Sequence, residues 1–110
     1  MSTMKMELLQ GTLDVLVLKA LSWGPQHGYA VGRWIERTTE EVLRIEEGAL
    51  YPALHRLERK GLIAAEWGVS ENNRRAKFYE LTELGRRELL AQAATWQSYS
   101  QAIAKVLQTV

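Results

Sequence analysis

The stretch GALYPALHRLERKGLI, residues Gly48–Ile63, decides how this chain is read. Leu50, Ala53, Leu54 and Leu57 recur at three- and four-residue steps, the period of a helix with one apolar stripe. The spacing predicts a helix starting at Glu47 or Gly48 and ending at Gly61. Pro52 falls in its first turn, where backbone N–H groups have no helical partner and a missing donor costs little. Gly61 after Lys60 is a suitable C-terminal stop. With Leu50 turned inward, Gly48, Tyr51, Pro52, His55, Arg56 and Arg59 occupy the opposite half. That face suits a nucleic acid. Arg56 and Arg59 can donate paired hydrogen bonds to guanine or bind phosphates, and Tyr51 can pack on a thymine methyl or bond a phosphate. Gly48 would allow close approach. A solvated helix face looks much the same, so the flanking sequence has to decide.

Upstream, Leu9, Leu13, Leu16, Val17, Ala20 and Leu21 predict an amphipathic helix over about Leu13–Ser22. Thr12 is its expected N-cap, Asp14 suits the positive end of the helix dipole, and Gly24-Pro25 ends it. A second helix is expected over Gly28–Arg37, with Ala30, Val31, Trp34 and Ile35 inward, followed by the polar segment Thr38–Glu46.

Downstream, Leu62–Trp67 and Ala76–Leu81 read as two strands, joined by the polar segment Gly68–Arg75 with Asn72-Asn73 as turn residues. Asn72, Asn73, Arg74, Arg75 and Lys77 make this hairpin cationic, able to lie along a DNA backbone or enter a minor groove. A last helix is expected from Glu83 to near the C-terminus, capped by Thr82, with Gly85 where a capping box would place Glu or Gln. Within it Leu89, Ala93, Trp96, Ser100, Ile103, Leu107 and Val110 follow 4-3 steps, a heptad seam for a second copy. Trp96 is expected to pack in that interface. Trp23, Trp34 and Trp67 are expected to serve core or hairpin packing.

Three short helices, a hairpin and a long helix make a mainly α (α+β) winged helix-turn-helix. The DNA-binding region spans residues 1–81 and the dimerisation helix residues 82–110 of one compact domain. An α-helix fits the major groove, and the third helix presents the side chains to do so.

Composition agrees. At 110 residues, 46% hydrophobic and 25% charged, the chain suits one small soluble domain that gains stability by oligomerising. The absence of cysteine excludes disulfides, thiolate nucleophiles and Cys-based zinc sites. His27 and His55 lie on different elements without metal-ligand spacing, so no metal or cofactor is expected. Leu13–Leu21 is too short for a membrane span, and Met1–Glu7 lacks a signal-peptide core, so a cytoplasmic protein is expected. Net charge is only +1, but His55–Lys77 carries six basic residues against three acidic ones. Such a local strip matters more for phosphate contact than the total. No nucleophile–base pair, paired carboxylates or phosphate loop argues for catalysis. The alternative is a ligand-binding or protein-interaction dimer without DNA binding.

Four segments carry a family resemblance: LLQGTLDVLVLKAL (Leu8–Leu21), HGYAVGRWI (His27–Ile35), EEGALYPALHRLERKGLI (Glu46–Ile63) and RRAKFYELTELGRREL (Arg74–Leu89). Through them the sequence resembles the PadR-like transcriptional regulators. The resemblance implies a winged helix that binds double-stranded DNA at an inverted-repeat operator as a homodimer, usually as a repressor. It also implies the short subfamily, with one C-terminal dimerisation helix. In some such members a tryptophan on the last helix lines a cavity for an aromatic effector, and Trp96 is similarly placed.

Overall fold

The computed structural model describes residues 10–110, so Leu9 and the beginning of the first segment lie outside the described residues. Four helices and three short strands follow in the order α1 (Gln10–Leu21), β1 (Gln26–His27), α2 (Gly28–Thr38), α3 (Glu47–Arg59), β2 (Ile63–Val69), β3 (Arg75–Leu81) and α4 (Glu83–Leu107). This is the expected winged helix-turn-helix with a long final helix.

The core forms where α1, α2 and α3 meet the sheet. Val17 and Leu18 of α1, Val31 and Ile35 of α2, Leu54 and Leu57 of α3, and Ile63 of β2 are all sealed from solvent. Burying such a side chain contributes roughly 1.5–3 kcal/mol, which makes this junction the main source of stability. The first helix departs from the expected amphipathic pattern. Val15 and Leu18 are buried along with Leu13, Val17, Ala20 and Leu21, because α1 runs through the centre of the molecule. Thr12 is not its N-cap, since the helix already includes Gln10.

Strand β1 was not foreseen. Its two residues pair antiparallel with β3, Gln26 opposite Tyr79 and His27 opposite Phe78, giving the sheet order β1-β3-β2. His27 then caps α2, its Nδ1 accepting from the Ala30 N–H at 3.2 Å. The hairpin register sets Ile63 against Leu81, Ala65 against Tyr79 and Trp67 against Lys77. Tyr79 and Leu81 thus face the core while the Arg75 end extends beyond it. Trp67 (57% exposed) and Trp23 (69%) are surface residues, contrary to the packing expected for them, whereas Trp34 packs against the core. Each exposed indole carries a cation, Arg75 over Trp67 at 4.8 Å and Lys19 over Trp23 at 5.1 Å.

Thr82 is the N-cap of α4, its Oγ1 accepting from the Gly85 N–H at 3.0 Å. The same hydroxyl donates to the Gly61 carbonyl at 2.7 Å, and the Thr82 N–H donates to the Leu62 carbonyl at 3.1 Å. The start of α4 is thereby fastened to the turn after α3. A Cβ on Gly85 would run into the Leu62 carbonyl oxygen, which is why no capping-box side chain stands there. Of the 25 residues of α4, only Gly85 and Leu89 are buried, and the helix extends a molecule measuring 55 × 32 × 21 Å.

Candidate nucleic-acid interface

Helix α3 is placed by its apolar stripe. Leu50, Ala53, Leu54 and Leu57 are buried, so the opposite side is turned outward. The approach to it is pinned by Glu36, whose Oε2 accepts from the Ile45 N–H at 2.8 Å while its Oε1 pairs with Arg33 at 3.1 Å.

The six expected surface positions of α3 do not form one equivalent face. Gly48, Pro52, His55 and Arg59 are exposed and share the centre of the outer side. Tyr51 and Arg56 lie on its two shoulders, each half-buried and engaged by a neighbouring helix. Tyr51 packs over the start of α2. A Cβ on Gly28 would come within 2.8 Å of Tyr51 Cε1, so a glycine is what allows the two helices to approach. Burial, then the nearby Glu47 carboxylate, pushes the Tyr51 phenol pKa up. Arg56 does not project freely, as its sequence position suggested. Its Nη2 donates to Asp14 Oδ1 of α1 at 2.7 Å, and only 24% and 14% of the two side chains are exposed.

The wing is partly committed as well. Asn72, Asn73, Arg74 and Arg75 are exposed. The Ser70 N–H donates to the Arg74 carbonyl at 2.8 Å and the Asn73 N–H to the Ser70 carbonyl at 2.9 Å, closing the turn. Asn73 adopts the left-handed conformation, φ 58°, that asparagine tolerates in tight turns. Lys77 is instead paired with Glu58 of α3 at 3.5 Å, a clamp between wing and helix. Burial is the main cause of the raised pKa of Tyr79, opposed by Lys77 and reinforced by Glu58 and Tyr51.

Between wing, α2 and α3 lies an open groove of about 560 Å³, lined among others by Tyr29, Tyr51, Arg74, Arg75 and Lys77. Tyr29 is well exposed there and was missed in the sequence. It sits at the start of α2, an element whose apolar periodicity speaks only for packing.

On α4 the expected seam needs revision. Leu89 is buried within the protomer core, and Val110 lies beyond the helix end at Gln108. Ala93 and Ser100 are half-buried. Beyond Leu84 and Leu90 near its start, the large apolar side chains of α4 left in water are Trp96 (39% exposed), Tyr99, Ile103, Val106 and Leu107. Tyr99, Ala102, Ile103, Val106 and Leu107 together line an apolar groove of about 260 Å³. The exposed stripe therefore runs through Trp96, Tyr99, Ile103, Val106 and Leu107, and it shares Trp96, Ile103 and Leu107 with the expected seam. A second groove of about 530 Å³ separates α1 from α4, with Asp14, Val15, Glu88, Trp96 and Tyr99 among its walls. The Trp96 and Tyr99 rings lie 5.7 Å apart.

Comparison with known proteins agrees with the fold. The model of the Transcriptional regulator PadR-like family matches residues 17–91. A transcriptional regulator from Clostridium thermocellum superposes with a TM-score of 0.81 at 28% identity, over 94% of this chain and 97% of that one. A PadR family transcriptional regulator from Eggerthella lenta gives 0.76 at 35% identity, over 96% and 89%. A transcriptional regulator of Mycobacterium tuberculosis is 37% identical over 59 residues, covering 53% of this chain and 54% of the relative. Among the described residues no helix is long and apolar enough to cross a membrane. The chain belongs to the PadR-like family of transcriptional regulators.

Proposed function

We propose that this regulator acts as a homodimeric repressor on an inverted-repeat operator. The observation that carries the reading is an exposed helix face, Gly48, Pro52, His55 and Arg59, beside a wing bearing Arg74 and Arg75, with an open groove between wing and helix to which α3 contributes Tyr51. The helix centre reads base edges in the major groove. Its shoulders, Tyr51 and Arg56, face the phosphate backbones on either side. Asn72, Asn73, Arg74 and Arg75 follow the adjoining backbone, and Lys77 holds the wing to α3.

Residues 1–81 supply this surface and residues 82–110 the dimer contact. The support for dimerisation is the row of large apolar side chains from Trp96 to Leu107, more than an isolated helix keeps in water without a partner. Two recognition helices then stand roughly one DNA turn, about 34 Å, apart. An aromatic effector between α1 and α4 at Trp96 changes that separation and loosens operator binding. It does so only through unequal affinity for the two dimer states.

Selection from random duplex DNA, followed by mobility shifts with and without aromatic compounds, tests the reading. It predicts enrichment of a two-fold symmetric sequence. Absence of any shift at low salt refutes DNA binding and leaves a ligand-binding or protein-interaction dimer.

A further inference from the structure

Asp14 belongs to two surfaces at once. Its Oδ1 accepts the 2.7 Å hydrogen bond from Arg56 of α3, and its side chain lines the groove between α1 and α4. Apart from the Arg56 guanidinium paired with Asp14, the ionisable side chains that the described residues bring to this groove are acidic. Among the described residues its ionisable walls are the carboxylates of Asp14 and Glu88 and the Tyr99 phenol, with no basic residue, and Glu88 already accepts from Gln92 Nε2 at 2.8 Å. Trp96 and Tyr99 add aromatic surface. An aromatic plate beside carboxylates fits a planar organic cation, through ring stacking and cation–π attraction as well as charge.

We propose that an aromatic cation bound in this groove takes the Asp14 carboxylate from Arg56, and that the released guanidinium becomes an additional DNA phosphate contact. The proposal rests on the reading of this groove as an effector site and adds the charge class of the effector and a route to the DNA. Arg56 occupies the α1-side shoulder of α3, where a docked helix meets backbone rather than bases. Latched to Asp14, its charge is neutralised at that shoulder. The exchange on release is close to balanced, because the guanidinium swaps a carboxylate for a phosphate, both good bidentate partners, and the carboxylate swaps one cation for another. The coupling is reciprocal: DNA that captures Arg56 must tighten cation binding by the same factor by which the cation tightens DNA binding. This local effect is opposite in sign to the loosening expected from a change in dimer separation. DNA without an operator isolates it.

The test uses the full chain, a scrambled duplex, and the matched probes 1-naphthylmethylammonium and 1-naphthoate. Probe binding is followed by equilibrium dialysis and DNA binding by fluorescence anisotropy across a salt series. One extra phosphate contact per protomer, two in a dimer, steepens the plot of log affinity against log salt by about 1.8. The ammonium probe is expected to produce that change in the parent protein and the carboxylate probe is not. Asp14→Asn is expected to be steep already and indifferent to the ammonium, and Arg56→Gln to keep one slope with or without it. Should Asp14→Asn not fold, Arg56→Gln decides alone. An ammonium that binds the groove but leaves the slope unchanged, or shifts it equally in Arg56→Gln, overturns the latch while the effector site stands. If neither probe binds a protein that binds DNA normally, the effector site fails and the latch with it.

Discussion

Replacing Arg74 and Arg75 together with glutamine removes half of the exposed cations that this surface offers DNA. Arg59 and Lys60 at the end of α3 and Arg74 and Arg75 on the wing are exposed, whereas Lys77 is held by Glu58 and Arg56 by Asp14. The Arg75 guanidinium is also poised over the Trp67 ring, so little side-chain freedom is left to lose on docking. Each neutralised phosphate contributes about 0.9 to the dependence of log affinity on log salt. In a dimer the double substitution therefore lowers the slope by about 3.6. From roughly 50 to 200 mM salt, the parent protein should lose on the order of 150-fold more affinity than the variant. Fluorescence anisotropy with a scrambled duplex measures this without needing the operator. Lys105→Gln, in the last turn of α4, should leave the slope alone. A change below about one unit in the Arg74/Arg75 variant would show that the wing does not follow the backbone, and the interface would have to be drawn on α3 alone.

Three further outcomes are expected. Gly85→Ala forces a methyl into the Leu62 carbonyl and against Leu81, 3.2 Å away, and should destabilise the fold by roughly 1–3 kcal/mol in chemical denaturation; an unchanged midpoint would mean that α4 is not fastened to the turn after α3. Ile103→Asp puts a charge in the apolar stripe of α4 and should give monomers in sedimentation and weaken operator binding far more than non-specific binding, whereas an intact dimer would move the interface elsewhere. Tyr51 and Tyr79 both have phenol pKa values raised above 10.0, so folding favours their protonated forms. Their contribution to stability is complete below pH 10 and is lost as pH rises through the raised values, because the unfolded chain releases those protons first. Tyr79→Phe should flatten the alkaline limb of the stability curve, and a limb of unchanged steepness would refute the assignment.

Most of the fold was legible because its elements are long enough to show a period. The stripe Leu50–Leu57 and the cap at Thr82 each appear where local sequence and tertiary position agree. Legibility failed where a residue serves a partner distant in sequence. Strand β1 has only two residues and exists because β3 offers it an edge, so no alternation could announce it. Asp14 looked like a dipole residue, yet its partner is 42 residues away on α3. Leu89 fits a heptad as well as any residue, but the core claims it first, and this moves the exposed stripe to Tyr99 and Val106. The outer side of α3 was readable as a set of six. Its division into four exposed positions and two held shoulders depends on what α1 and α2 bring beside it.

Those shoulders suggest why the site is built on this arrangement. Helix α3 is held on one side by α2 and the wing, through Tyr51 over Gly28 and Glu58 with Lys77, and on the other by α1, through Asp14. Helix α1 also packs along α4 and shares a groove with it. In the proposed dimer, α1 is thus the rigid element joining the subunit contact to the reading surface. With recognition helices about 34 Å apart, each lies about 17 Å from the two-fold axis, and a tilt of about 10° moves it by roughly 3 Å, close to one base-pair step. An effector of the proposed kind beside Trp96 would therefore have two mechanical consequences through the same helix. Tilting α1 changes the distance between half-sites, which only an operator senses. Drawing off Asp14 changes the charge presented at one shoulder, which any duplex senses. Whether an occupant loosens or tightens binding then depends on its charge as much as on its size, because the carboxylate that greets it in the groove is the one that restrains Arg56.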